Sequence, residues 1–337
     1  MARSFKKYKR KAQKTLKTIC NLIGGILTAL VLISIFWPAM DTGVDLPFGT
    51  PEDWLNGVLD QTDLAPASGI ALPESGPFVC ALDVGQGDAV LLQSGGQSCL
   101  VDAGHVSAAQ DLLRELHQKD LQALEYLVLT HPDADHIGGA LSVLRQFPVG
   151  EILVPSTDID PEASGWQDDI LWEAQSQGIP VTAVRAGDAF PLGEGTITIL
   201  LADYPSGGGT NDRSICLRFA AGSFSFLDTG DAEQKAEAEL VRLYGEQLRS
   251  TVMKAGHHGS STSNSRALLQ AVQPQAVGIS CGAGNDYGHP HRETLETLAA
   301  VGAQVFRTDQ LGTFTIIWDT GELHLPVEEA YNEPAAA

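Results

Sequence analysis

Two histidines and two aspartates fall within six residues of this chain, in the run Thr130-His131-Pro132-Asp133-Ala134-Asp135-His136-Ile137-Gly138-Gly139. An apolar, strand-like stretch (residues 124–130) leads in, and a stretch of helical periodicity (residues 137–146) leads out. A strand-to-helix turn leaves backbone groups open and lets neighbouring side chains converge. Imidazoles and carboxylates in alternation are donors that divalent cations take, so His131, Asp133, Asp135 and His136 read as metal ligands. A helix cap would account for one aspartate but not for the whole set.

The flanking pattern says what such a turn is built into. Three short apolar runs at 78–84, 89–92 and 98–102, separated by Gly-containing turns, predict a β-meander. A helix follows at 108–118. Strands at 152–154 and 181–184 flank a helix at 166–177. Further strands are expected at 196–201, 215–219, 223–227, 251–254, 276–281, 305–308 and 314–318, with helices at 232–244, 265–272 and 292–301. Two β-rich halves, each followed by helices, predict an α/β fold of two packed sheets covered by helices on both outer faces.

Other donors recur where strands end. Phe226-Leu227-Asp228-Thr229-Gly230-Asp231 closes one strand and offers Asp231 as a bridging carboxylate. Met253-Lys254-Ala255-Gly256-His257-His258-Gly259-Ser260 closes another in a histidine pair, and Asn285-Asp286-Tyr287-Gly288-His289-Pro290-His291 follows a third. Candidates at the C-terminal ends of several strands share one rim of the sheets, which is where an active site can assemble.

The HxDxDHxGG run, the Thr229-Gly230-Asp231 turn and the His-bearing strand end resemble the metallo-β-lactamase superfamily. Asp83-Val84-Gly85-Gln86-Gly87-Asp88-Ala89, Val101-Asp102-Ala103-Gly104, Asn211 with Ser214, the Lys254…Ser260 segment and Tyr287-Gly288-His289-Pro290 further resemble the hydrolase part of ComEC-type competence proteins. The resemblance spans about residues 76–320 and implies a four-layer αβ/βα sandwich. Many superfamily members carry HxHxDH; here Asp133 stands at the middle position. None of the nine histidines lies between 137 and 256, so a mid-chain histidine ligand is absent, with Asn211 or Asp212 roughly in its place. The implied ligands are His131, Asp133, Asp135, His136, Asp231 and one or both of His257 and His258. Two divalent ions, Zn²⁺ or Mn²⁺, are expected, the oxygen-rich set leaning toward Mn²⁺ and away from an antibiotic-cleaving lactamase.

Charge divides the chain. Eight of its 21 basic residues lie in the first 40, where there is no acidic one, so all 42 acidic residues belong to the rest. Such a body repels long polyanions and offers no electrostatic footprint for nucleic acid, although bound cations reverse the field locally. The basic segment 1–18 precedes an uncharged apolar run at 19–37, close to the length that crosses a bilayer. It is expected to be a retained N-terminal transmembrane helix rather than a cleaved signal peptide, with the basic flank cytoplasmic and the body outside the membrane. One span builds no channel, so DNA import by this chain alone is not expected. Residues 38–75 read as a linker, 76–325 as the hydrolase domain and 326–337 as a tail. Five cysteines at irregular spacing, with no CxxC pair, read as buried thiols and not as a disulfide framework.

The expected activity is metal-dependent hydrolysis of a phosphodiester, DNA or nucleotide, by a metal-activated water. In that reading Asp135 or Asp231 orients the water and His289 protonates the leaving group. Lys254, Ser260 and Asn285 hold phosphate oxygens, with Asn211 and Ser214 at the substrate side. Asp102 and Asp83 are expected to brace loop backbones beneath the site. The same chemistry would serve a carboxyl-ester, lactone or amide hydrolase, and a non-catalytic surface module is a third reading.

Overall fold

The computed structural model describes residues 76–155, 166–205 and 209–325. The basic segment, the apolar run at 19–37, the linker, the tail and Cys20 lie outside the described residues. Among the described residues no helix is long and apolar enough to cross a membrane.

The described strands form two sheets. In the first, β1 (Phe78–Ala81), β2 (Val90–Ser94) and β3 (Gln97–Val101) pair as the antiparallel meander that the sequence predicts. β4 (Leu124–Val128), β5 (Val149–Val154) and β6 (Val181–Ala183) then add in parallel to β3, while β14 (Phe314–Asp319) and β15 (Glu322–His324) extend the opposite edge. The second sheet repeats the plan. β7 (Ala189–Leu192), β8 (Gly195–Leu201), β9 (Cys216–Ala221) and β10 (Phe224–Asp228) run antiparallel, and β11 (Val252–Lys254), β12 (Ala276–Ile279) and β13 (Gln304–Arg307) follow in parallel.

Strand alternation separates three cores. On β1, Phe78 and Cys80 face one cluster with Leu112 and Leu116 of α1 (Ala109–Gln118), whereas Val79 and Ala81 face Phe224, Phe226 and Val252 of the other sheet. A strand buried on both faces cannot show polar alternation, which is why β1 reads as a continuous apolar run. Val143 of α3 (Ala140–Gln146) and Ile170 of α4 (Trp166–Gln177) also cover the first sheet. Leu240 of α5 (Gln234–Tyr244), Leu268 of α6 (Arg266–Val272) and Leu298 of α7 (Arg292–Ala300) cover the second. The result is the expected four-layer αβ/βα sandwich. Cys80, Cys99, Cys216 and Cys281 are buried free thiols.

The expected helix at 137–146 differs in one respect. It is split into α2 (Ala134–Ile137) and α3 by the Gly138-Gly139 pair. There the chain passes so close to a neighbouring loop that a Cβ on Gly139 would fall 2.2 Å from the Ala103 carbonyl oxygen. The close approach is fixed by Ala103 N–H donating to His136 O at 2.7 Å and Gly139 N–H to Gly104 O at 3.0 Å. The metal-binding turn is thereby pinned to the end of β3.

Candidate metal centre

Five parallel strand ends deliver the site to one rim. β3 runs into Asp102, β4 into Thr130–His136, β10 into Asp231, β11 into His257 and His258, and β12 into Ser280. The histidine pair needs a special backbone. His257 and His258 both adopt left-handed geometry, at φ 52° and 54°. In an extended strand adjacent side chains diverge, and two consecutive left-handed residues bring both rings inward. Asn264 holds this turn, accepting from Gly256 N–H at 2.9 Å and donating to Gly256 O at 2.8 Å.

Asp231, 3 % exposed, is the meeting point. Its Oδ1 lies 3.3 Å from His136 Nε2. Its Oδ2 lies 3.6 Å from His258 Nε2, 3.7 Å from His257 Nε2 and 4.0 Å from His131 Nε2. Two more carboxylates complete the ring on its more open side: Asp135 Oδ2 is 3.4 Å from His258 Nε2 and Asp133 Oδ2 is 3.6 Å from His131 Nε2. These separations are long for hydrogen bonds. Donor atoms about 2.1 Å from a shared cation stand roughly 3.4 Å apart, which is the spacing seen. Asp231 Oδ1 faces His136 and its Oδ2 faces His258, His257 and His131, with Asp135 beside His258 and Asp133 beside His131.

The buried atoms themselves ask for a cation. Nε2 of His131, His136 and His258 and Oδ1 of Asp231 are all buried without a hydrogen-bond partner. Leaving a buried polar atom without a partner costs about 1–3 kcal/mol, so four such atoms facing one point favour a shared partner. The opposite ring nitrogens are occupied. His136 Nδ1 faces Asp102 Oδ2 at 2.7 Å, and His258 Nδ1 faces the Ser280 carbonyl at 3.1 Å. Both partners only accept, so each Nδ1 carries the proton and each Nε2 turns a lone pair to the centre. His257 Nδ1 pairs with Thr262 Oγ1 at 3.1 Å, and Thr210 Oγ1 donates to Asp133 Oδ1 at 2.7 Å. The donors fit divalent cations held about Asp231.

Without cations the groups titrate against one another. Burial pushes the Asp231 carboxyl up, but His136, His258 and His131 outweigh it and hold it well below the ordinary range. Burial pushes His136 down, and Asp231 and Asp102 raise it well above the ordinary histidine value.

Several expected site residues sit elsewhere than the sequence reading placed them. Lys254 is 3 % exposed and does not face solvent; its Nζ is in contact with Asp88 Oδ2 and donates to Gly230 O at 3.2 Å. Burial lowers its pKa, and Asp88, Asp228 and Asp231 more than restore it, so it is a fixed buried cation and not a free phosphate ligand. Ser214 is fully buried and accepts from Asp231 N–H at 3.1 Å, so it holds the Asp231 backbone and does not face a substrate. Ser260, 3 % exposed, pairs with Thr262 Oγ1 at 3.1 Å. Asn285 spends its amide within its own loop, on Gly282 O, His289 O and the N–H groups of Tyr287 and His289. Asn211 opens a short 3₁₀ turn, Asn211–Arg213, between Thr210 and Ser214. His289 does reach the rim. Its ring centroid is 5.6 Å from that of His257 and 6.1 Å from that of His258. Burial, then His258 and His257, push it down to about 4. His105 caps its own turn, accepting from Ser107 N–H at 3.2 Å.

Asp88, in the turn between β1 and β2, also comes close to the donors. Its donor atoms and those of His136, Asp231 and His258 lie within 4.8 Å of one another. It approaches from the Nδ1 side, however, 3.7 Å from His258 Nδ1 and 4.0 Å from His136 Nδ1. Those nitrogens are already engaged, so Asp88 is a counter-ion to Lys254 behind the ligands. Thr210, Thr262 and the Ser280 carbonyl carry no sequence signal of their own.

Residues 82–282 match the family model of the metallo-beta-lactamase superfamily. The chain belongs to that superfamily. Among curated relatives it is 30 % identical over 250 residues to ComE operon protein 3 of Bacillus subtilis, covering 69 % of this chain and 32 % of that protein. It is 33 % identical over 248 residues to Competence protein ComA of Neisseria gonorrhoeae, covering 72 % and 32 %. Recombination protein 2 of Haemophilus influenzae matches at 33 % over 229 residues, covering 65 % and 26 %. The chain therefore spans about a third or less of the length of the curated relatives it matches. Within this superfamily the donor cluster at Asp231 is the candidate metal site of a metal-dependent hydrolase.

Proposed function

We propose that this chain is a phosphodiesterase or nuclease-like hydrolase working with two divalent ions, Mn²⁺ or Zn²⁺. The observation that carries the reading is the convergence of three unpartnered histidine Nε2 atoms on the buried Asp231 carboxylate. Divalent ions held there supply Lewis acidity that activates water and neutralises charge on a departing oxygen. Three carboxylates among the donors favour hard cations and Mn²⁺ in particular.

The chain's own residues supply the rest. Asp231 ties the histidines together, its Oδ1 facing His136 and its Oδ2 facing His258, His257 and His131. Asp133 and Asp135 are the most exposed donors, with side chains 39 % and 35 % accessible, so substrate enters on their side. His289 is neutral near pH 7 because burial and the neighbouring histidines hold it near 4. A group held that low is a weak base and carries little proton at pH 7, so His289 is better suited to pack beside His257 and His258 at the rim than to shuttle a proton. Lys254 and Asp88 keep the floor of the site charge-balanced.

The apolar run at 19–37 is proposed as a membrane anchor that displays the hydrolase outside the cytoplasmic membrane, supported by its basic flank. The competence relatives support a substrate drawn from nucleic acid handled there. Membrane fractionation and protease accessibility of intact cells test the placement; a soluble cytoplasmic chain would overturn it. For the activity, the full chain is stripped of metal, reloaded with Mn²⁺ or Zn²⁺ separately, and assayed on bis-p-nitrophenyl phosphate, single-stranded DNA and a simple ester. Metal-restored cleavage of phosphodiesters is expected. Cleavage of the ester alone would assign carboxyl-ester chemistry instead, and metal binding without turnover on any of them would assign a non-catalytic module.

A further inference from the structure

The loop that carries His289 also holds an aromatic ring out into solvent. Tyr287 is 67 % exposed, although the hydrophobic effect favours burying a ring of this size. Its position is nonetheless fixed. Asn285 Oδ1 accepts from Tyr287 N–H at 3.2 Å and from His289 N–H at 2.9 Å, and Asn285 Nδ2 donates to His289 O at 2.7 Å. His291 ties the same loop on both sides, Nε2 to Tyr287 O at 3.2 Å and Nδ1 to Ser261 N–H at 2.9 Å. The Tyr287 ring lies beside His289 in an offset, near-parallel arrangement, centroids 5.5 Å apart and planes 19° from parallel. His289 in turn stacks on the ligand His258 at 6.1 Å and 27°. A ladder of three rings therefore runs outward from the metal centre and ends in an open aromatic face. Beside it, a Cβ added at Gly284 or Gly288 would meet nothing within 4 Å, so the space around the loop is free.

We propose that the open face of Tyr287 is a stacking platform for a nucleobase, and that the substrate is a nucleotide-sized phosphodiester rather than a long nucleic-acid strand. This rests on the phosphodiesterase reading above. Every base has a π-face, so one rigid aromatic beside the reacting phosphate selects for a base without reading its identity. Size follows from charge and from what is missing along the surface. Proteins that track long strands interleave many aromatics with basic side chains. Among the described residues the large exposed aromatics are Tyr287 and Trp172 of α4, and the chain's net charge is −21. Such a body favours a substrate with few phosphates, engaged at the cations, over a polyanion.

The test compares the full chain with Tyr287→Ala and Tyr287→Phe, all loaded with Mn²⁺, on thymidine 5′-p-nitrophenyl phosphate and on methyl p-nitrophenyl phosphate. Calorimetric binding of thymidine 5′-monophosphate and of deoxyribose 5-phosphate gives a readout independent of turnover. The expected result is a rise in KM for the thymidine diester about 10-fold larger than for the methyl diester in Tyr287→Ala, rescued by Tyr287→Phe, with a matching selective loss of thymidine monophosphate affinity. Equal losses on both diesters would overturn the platform while leaving the phosphodiesterase intact. Cleavage of neither diester by the parent chain would instead remove the phosphodiesterase reading. Tighter capture of a 30-nucleotide strand than of the mononucleotide at physiological salt would overturn the size limit.

Discussion

Asp102 Oδ2 lies 2.7 Å from His136 Nδ1, and both residues are buried. The same carboxylate accepts from Thr130 N–H at 2.8 Å and from Thr130 Oγ1 at 2.7 Å, so it joins the end of β3 to the metal-binding turn after β4. The contact fixes the proton on Nδ1 and frees Nε2 for a cation. Asp102 sits at φ 59°, a conformation that asparagine tolerates well and alanine poorly. Asp102→Asn is therefore the clean probe. One amide N–H must then face an existing donor, either Thr130 N–H or His136 Nδ1–H, so one of these contacts is lost and the imidazole keeps at best a neutral acceptor in place of a carboxylate. Metal affinity is expected to fall about 10- to 100-fold, read by competition with a fluorescent chelator. Unchanged affinity would show that His136 is oriented by something other than Asp102.

Much of this arrangement was legible beforehand, and the limits of legibility have a common physical source. Apolar periodicity located the meander, the parallel strands and the covering helices because burial acts on every turn or every second residue. It did not locate β7, an edge strand containing Pro191 with little burial to pattern it. Residue type named the donors His131, Asp133, Asp135, His136, Asp231, His257 and His258. It did not say which way a polar side chain turns. Ser214, Ser260, Asn285 and Lys254 have the chemistry of substrate ligands, yet each is turned inward to hold backbone, hydroxyl or carboxylate. The missing mid-chain histidine is a related case. Both His257 and His258 reach Asp231, because two left-handed residues in succession place neighbouring rings on one side.

That doubled use of the pair has a stoichiometric consequence. If Asp231 bridges two donor groups, its removal should disturb both, whereas His257 and His258 each belong to one. Metal analysis by mass spectrometry after gel filtration is expected to give two ions per wild-type chain. About one ion should remain in His257→Ala and in His258→Ala, and less than one in Asp231→Ala, with turnover abolished in Asp231→Ala and in His131→Ala. Far-ultraviolet circular dichroism should stay unchanged, since the sheets and helices do not depend on these rings for packing. A single ion in the wild type, lost wholly in either histidine variant, would contradict two ions sharing Asp231.

Lys254 separates a structural cation from a substrate ligand. Its Nζ contacts Asp88 and lies 4.0 Å from Asp228 Oδ1 and 3.9 Å from Asp231 Oδ1, all in the interior. Removing one partner of a buried ion pair leaves the other charge uncompensated, at a cost of about 3–5 kcal/mol. Lys254→Met, which keeps the aliphatic stem, should lower stability by an amount of that order in urea or thermal unfolding of the metal-stripped protein. A side chain that only held phosphate oxygens would leave stability unchanged and raise KM alone.

Asp228 supplies the pH dependence. Burial pushes its carboxyl up, Lys254 pulls it back, and Asp88 adds to the rise, the balance lying at about 6 against an ordinary 3.8. A raised carboxyl pKa means that the folded chain holds this proton more tightly than the unfolded chain does. Stability contributed at this site is thus greatest at low pH and declines as pH rises from about 4 to 6; above that window the full cost of the buried carboxylate is present. Asp228→Asn removes the ionisation while its Oδ1 can still accept from Gly230 N–H, a bond of 2.8 Å in the parent. In metal-stripped protein the variant should match the parent at pH 4 and exceed it by about 2–3 kcal/mol above pH 7, since each pKa unit is worth about 1.4 kcal/mol. Urea unfolding across pH 4–8 measures the difference. A gain that was constant with pH would mean that the substitution acts through packing, and a gain that grew toward low pH would contradict the sign of the shift.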